Sequence, residues 1–140
     1  MIAVDAGFLF ALIDSGDVWH SRALGAAPTA AEGWITTWPA LTEASYLLTT
    51  RLGTGFTQAL IADVADGALL VWEMPLAKIA NIPALMKRYA NLPMDLADAS
   101  LVLLAEHLGH GRILTTDERD FGAYRWKSRK PFHNLLAPSS

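Results

Sequence analysis

The sequence contains no cysteine. That excludes a disulfide framework and any thiolate metal site, and it fits a reducing compartment such as the cytoplasm. Charged residues make up only 18% of the chain and hydrophobic ones 52%. Even so, Asp, Glu, Lys or Arg interrupts every apolar run before the ~18 residues that a membrane helix needs. Met1-Ile2-Ala3-Val4-Asp5 has no basic segment and meets a carboxylate at once, so no signal peptide is expected. There is no glycine-rich phosphate loop, because Gly53-Thr54-Gly55 is too short and lacks a following lysine. No serine or threonine stands in a nucleophile motif. His20, His107, His110 and His133 are scattered, and His107 and His110 suit the end of a helix better than a metal site. The net charge of −3 taken alone argues against a polyanion as partner. The apolar surplus points instead to a protein partner or a second copy of the chain.

What is present is an alternation of strands and helices. Met1–Val4 is short and apolar and reads as a buried parallel strand. Ala6–Ile13 has helical composition, and Asp17 suits the N-cap of a short helix through Trp19, His20 and Leu24. Trp34–Thr36 reads as a strand. Thr37 then caps a helix with Pro39 in its first turn, running to about Leu52. Phe56–Ala65 places apolar residues at helical spacing, and Ala68–Trp72 is a candidate central strand. Leu76–Tyr89 is expected to be helical but kinked or split by Pro83. Asp95–Leu108 is the helix around which the chain is organised, ended by Gly109 and followed by a strand at Ile113–Thr116. Tyr124-Arg125-Trp126 suggests an edge strand, and residues 136–140 a frayed tail. This pattern predicts one α/β domain over residues 1–140, built on a mostly parallel sheet.

The carboxylates carry the chemistry. In an open parallel sheet, ligands bind at the carboxyl ends of the strands. Asp5 and Asp117 are expected there. Asp98 lies one turn into the long helix, and Glu43 lies early in the helix after Trp34–Thr36. Carboxylates from separate segments are thus expected to meet at one sheet edge. Brought together they repel, and a hard divalent cation relieves that. Oxygen ligands without histidine or cysteine select Mg²⁺ or Mn²⁺ over Zn²⁺. Each residue also has an ordinary explanation. Asp5 and Asp95 can be N-caps, Glu43 a solvated helix residue and Asp117 an Asx-turn residue. Asp120 can cap, or pair with Arg119 or Arg125. Asp98 is the hardest to explain away, because Leu101 and Val102 are its helical neighbours. Arg125, Lys127, Arg129 and Lys130 crowd around Trp126, offering phosphate contacts beside an indole able to stack on a base. An ordinary edge-strand tryptophan is the alternative there.

Five stretches together resemble a known family. They are Ile2–Asp5; Ala11–Asp14 with Asp17 and His20; Leu41–Glu43; Asp95–Ala99; and Leu114–Phe121. They are similar to the PIN domain, and more narrowly to the VapC-type toxins of bacterial and archaeal toxin–antitoxin pairs. The resemblance spans nearly the whole chain. Its most specific pieces are Asp98-Ala99 at the helix opening and the Leu-Thr-x-Asp-x-x-Asp-Phe pattern of Leu114–Phe121. It implies a three-layer α/β sandwich. It also implies a cytoplasmic, homodimeric endoribonuclease that depends on Mg²⁺ or Mn²⁺ and is silenced by a VapB-like antitoxin. Carried over by position, Asp5, Glu43, Asp98 and Asp117 would form the catalytic quartet, with Asp5 and Asp98 as direct metal ligands. Thr115 would hold a carboxylate in place, and Asp120 matches a further acidic position. Arg119, Arg125, Trp126, Lys127, Arg129 and Lys130 would bind RNA. One departure is Ala6 after Asp5, where the family commonly has threonine or serine. The rival expectation is a catalytically silent PIN-like scaffold that only binds RNA or protein. The apolar faces of Trp38–Leu52 and Phe56–Ala65 are candidates for an antitoxin helix or a dimer mate.

Overall fold

Side-chain alternation along short strands decides the architecture. In β1 (Ile2–Val4), Ile2 and Val4 enter one hydrophobic core and Ala3 the other. In β4 (Arg112–Leu114), Ile113 and Leu114 divide in the same way. In β2 (Trp34–Thr37), Trp34 and Ile35 do so too. A period of two with both faces apolar requires helices on both sides of the sheet. The computed structural model, which describes residues 1–136, has that arrangement.

The first core is closed by α1 (Ala6–Ile13), α2 (His20–Gly25), α3 (Trp38–Arg51) and α4 (Thr54–Ala65). The second is closed chiefly by α6 (Ile82–Arg88) and α7 (Leu96–Leu108), with the short α5 (Leu76–Ile79) before them. Pro83 splits the expected Leu76–Tyr89 helix into α5 and α6, and it stands in the first turn of α6, where its missing N–H costs nothing. The main sheet has five strands in the order β3-β2-β1-β4-β7, with β3 at Leu69–Trp72 and β7 at His133–Asn134. All its pairings are parallel. This is the parallel-sheet α/β fold that the sequence pattern predicts and the sandwich that the resemblance implies. The chain winds outward from β1 through β2 to β3, then returns to place β4 on the other side of β1. The carboxyl ends of β1 and β4 therefore flank a topological switch point, where such sheets open a crevice.

Several local expectations change. Asp17 does not cap α2: its carboxylate takes the Trp19 N–H at 2.8 Å, which closes a turn, and the helix starts at His20. The strand expected at Ile113–Thr116 ends at Leu114, because Thr115 and Thr116 turn away toward α8 (Glu118–Ala123). The expected Tyr124–Trp126 edge strand is β5 (Arg125–Trp126). It pairs antiparallel with β6 (Lys130–Pro131) in a separate two-stranded ribbon. The tail does not begin at Leu136, which is buried in the first core; Ala137–Ser140 lie outside the described residues.

Candidate active site

Each acidic residue arrives at the switch point by a local rule. Asp5 is the residue after β1 and the N-cap of α1, its Oδ1 accepting the Phe8 N–H at 2.8 Å. Asp117 follows β4 and caps α8, its Oδ1 accepting the Asp120 N–H at 3.0 Å. Asp95 and Asp98 form a reciprocal capping box at the start of α7, with Asp98 N–H donating to Asp95 at 2.8 Å. Glu43 sits in the second turn of α3, after the Thr37 cap that the sequence predicts. The ordinary cap readings of Asp5 and Asp95 are therefore correct, Asp117 is a helix cap where an Asx-turn residue was expected, and all three are compatible with a second role. A cap uses one carboxylate oxygen and leaves the charge in place.

Asp5, Glu43, Asp95, Asp98, Asp117 and Asp120 all line one cavity of about 290 Å³. No lysine, arginine or histidine is among the lining residues. Burial pushes Asp5 up to about 7, the nearby charges of Asp117 and Glu43 adding to it while the hydrogen bonds from Thr115 and Phe8 oppose it. Burial, reinforced by the charge of Asp95, likewise pushes Asp98 up to about 7. Partial burial and the charges of Asp95 and Asp117 raise Glu43, and burial with the neighbouring Asp117 raises Asp120. Taken together, this is a recessed concentration of negative charge with no cation among its lining residues, Arg119 nearby opposing the rise of Asp120 alone.

The donor chemistry fits a hard divalent cation, and all the candidate ligands are oxygens. Among the described residues, no three His, Asp or Glu side chains stand close enough to form a ready-made cage. Mg²⁺ does not require one, since it is usually held through one or two carboxylates with water completing its shell.

Thr115 is fully buried, and its hydroxyl donates to Oδ2 of Asp5 while accepting the Asp117 N–H at 2.9 Å. Three contributors gave no sequence signal. Asn134 grips Thr115 at both backbone groups, accepting its N–H at 3.2 Å and donating to its carbonyl at 3.0 Å. The Tyr124 hydroxyl donates to Asp98 Oδ2 at 3.2 Å. Gly7 faces Thr116 so closely that an added Cβ would lie 2.2 Å from its Oγ1.

The expected RNA-binding residues divide. Arg119 is exposed on α8, between the cavity residues Asp117 and Asp120. Arg22, not singled out in the sequence, reaches Glu118 on the same helix at 3.8 Å. Lys127, Arg129 and Lys130 are exposed on the β5–β6 ribbon. That ribbon is tied to the far end of α7 by the Lys127 N–H, which donates to Glu106 at 2.9 Å. Glu106 is about 12 Å along the helix from Asp98, at 1.5 Å per residue. The Arg125 guanidinium is spent on the carbonyls of Gly122 and Tyr124, both at 2.9 Å. Trp126 corrects the stacking expectation: it is 6% exposed and belongs to the second core. Its indole N–H donates to Pro131 O at 3.0 Å, and the ammoniums of Lys127 and Lys130 lie over its ring. Its face is not open to a base.

The chain is thus a parallel α/β sandwich with an acid-lined cavity at the β1–β4 switch point. By sequence it is 27% identical over 122 residues to Ribonuclease VapC26 of Mycobacterium tuberculosis (strain ATCC 25618 / H37Rv), covering 87% of this chain and 90% of that protein. By structure it is similar to the crystal structure of Mycobacterium tuberculosis VapC20, described as a sarcin-ricin loop cleaving toxin. The TM-score there is 0.78 at 20% identity, over 86% of this chain and 92% of that one. No protein-family model matches the chain. The resemblance to VapC-type PIN domains is borne out, in sequence by the first relative and in fold by the second.

Proposed function

We propose that this chain is an endoribonuclease dependent on Mg²⁺ or Mn²⁺, the toxin of a VapBC-type pair, with Asp5, Glu43, Asp98 and Asp117 as its catalytic carboxylates. One observation carries the reading: carboxylates from the β1–α1 junction, α3, α7 and the β4–α8 turn share a single cavity with no cation among its lining residues. Asp5 and Asp98 would hold the metal. When bound, the ion supplies Lewis-acid neutralisation of charge on the phosphoryl oxygens and lowers the pKa of water at the site.

The chain's own residues do the positioning. Thr115 and the Phe8 N–H fix both oxygens of Asp5, so that this carboxylate keeps one orientation. Asp117 orients the attacking water and receives its proton. The water oxygen forms the new bond to phosphorus, the bond from phosphorus to the 3′ oxygen breaks, and that oxygen leaves with a proton from solvent. Arg119 holds the RNA backbone next to the cavity. Single-stranded or loop RNA is the fitting substrate, because the scissile phosphate must reach carboxylates recessed in a cavity.

The exposed aromatic residues Trp38 and Tyr46 on α3, together with Leu96, adjoin the cavity and offer an apolar surface for a second copy of the chain. Phe56 and Ile61 on α4 offer another for a VapB-like antitoxin helix. The test is cleavage of total cellular RNA by purified protein, freed of any co-purifying partner, with Mg²⁺, with Mn²⁺, with EDTA and with Asp98→Asn. Metal-dependent cutting that the variant lacks is the expected result. A folded protein that takes up Mn²⁺ yet cuts nothing would point to the silent scaffold.

A further inference from the structure

We propose that Tyr124 is a positioning residue for Asp98, its hydroxyl fixing the carboxylate in the orientation that receives the metal; this rests on the function proposed above. Tyr124 is completely buried, and its hydroxyl reaches Asp98, one of the carboxylates that line the acidic cavity. Two acceptors lie within its reach, Asp98 Oδ2 at 3.2 Å and the Pro93 carbonyl at 3.4 Å. It has one proton to give, and the ionised carboxylate is the stronger acceptor.

The ring cannot swing away. Tyr89 packs edge-on against it at 5.0 Å and Phe121 at 5.3 Å. Tyr89 is itself anchored, its hydroxyl accepting the Arg125 N–H at 2.9 Å. The Tyr124 N–H closes α8 onto the Asp120 carbonyl at 2.8 Å. α8 is thus a short link with Asp117, which lines the cavity, at its start and Tyr124, which holds the cavity residue Asp98, at its end.

The rest of the Asp98 carboxylate is loosely held. Its other contact is the Asp95 N–H of the capping box, at 3.4 Å to the same Oδ2, so that among the described residues Oδ1 accepts no hydrogen bond. The two expected metal ligands are therefore supported alike, Asp5 by the hydroxyl of Thr115 and Asp98 by that of Tyr124. Groups that orient a metal ligand typically contribute about 10–100-fold to metal affinity or activity.

Tyr124→Phe isolates the hydroxyl, because the phenyl ring keeps its place between Tyr89 and Phe121. The experiment compares wild type and Tyr124→Phe by thermal unfolding in EDTA, by calorimetric titration with Mn²⁺, and by steady-state RNA cleavage. The expected result is a folded variant whose Mn²⁺ affinity and kcat fall about tenfold while KM for RNA stays unchanged. A variant that binds Mn²⁺ and cleaves like wild type overturns this inference and leaves the proposed function standing, as does one that loses only thermal stability. Wild-type protein that neither binds Mn²⁺ nor cleaves RNA overturns both.

Discussion

The hydroxyl of Thr115 donates to the carboxylate of Asp5 across 110 residues of chain. The same oxygen accepts the backbone N–H of Asp117, so one buried threonine joins the carboxyl ends of β1 and β4. Replacing it with valine keeps the shape and removes the hydroxyl. Asp5 then loses a donor and the Asp117 N–H its acceptor. Thr115→Val is expected to lower unfolding stability by about 1–3 kcal/mol and to cut RNA cleavage at least about tenfold. Urea unfolding and cleavage assays check this, and wild-type values in both would show that the link is dispensable.

Asp98→Asn is expected to fold and to abolish hydrolysis. Burial and the charge of Asp95 raise its acid to about 7, so the ionised form is a burden to the metal-free protein. Removing that charge should leave the melting temperature at pH 8 in EDTA unchanged or higher. A clear drop in melting temperature would mean the ionised carboxylate has a structural partner.

The same shifts set a pH dependence. Asp5 and Asp98 rise from 3.8 to about 7 on folding, so between those values the folded chain binds more protons than the unfolded one. Stability from these two groups is therefore fully present below pH 3.8 and is lost as pH rises toward 7. In EDTA, calorimetry should show a lower melting temperature at pH 8 than at pH 5, with the difference reduced in Asp5→Asn. Adding Mg²⁺ or Mn²⁺ should raise the melting temperature more at pH 8, where the carboxylates are ionised. Equal metal stabilisation at both pH values would place the ion elsewhere.

Gly111 marks where β4 begins beneath the β5–β6 ribbon. A Cβ there would lie 2.6 Å from Trp126 Nε1 and 2.8 Å from the Pro131 carbonyl oxygen. Backbone cannot yield as a side-chain tip does. Gly111→Ala should therefore cost about 1–3 kcal/mol of stability, read by denaturant unfolding. A neutral result would show that the ribbon is free to lift off the sheet.

Arg119 and the ribbon cations should separate in an RNA-binding titration against salt. Arg119→Ala should reduce the salt slope by about 0.7 and weaken binding alike across sequences. Replacing Lys127, Arg129 and Lys130 together by alanine should leave cleavage of a short RNA unchanged, because the ribbon is anchored at the Glu106 end of α7. If the triple variant loses cleavage and Arg119→Ala does not, the RNA path runs over the ribbon.

Much of this was legible because the rules involved are local. The Thr37 cap, the Asp95 cap and the left-handed Gly109 at the end of α7 each depend on a few neighbouring residues. Short local patterns also misled. Asp17 has the right residue type for a cap, but its carboxylate satisfied Trp19 two residues on and closed a turn instead. β7 is only two residues long, too short to show a period. Trp126 among cations reads equally well as a stacking platform or as a core residue. Only its burial against the ribbon decided between them.

The sequence by itself determined the order of β1 to β4 and the helices between them, most of their caps and the acid character of the site. Those follow from hydrophobic period and from side chains bonding to their own backbone. Which of the carboxylates share a cavity was settled by the return of the chain from β3 to β4, a crossover set by packing on both faces of the sheet. The role of Thr115 was expected from the family resemblance; the hydroxyl of Tyr124, the grip of Asn134 and the distance of the ribbon cations from the cavity belong to the tertiary structure. Each is a contact between residues far apart in the chain, and no spacing along a sequence encodes where two packed elements will meet.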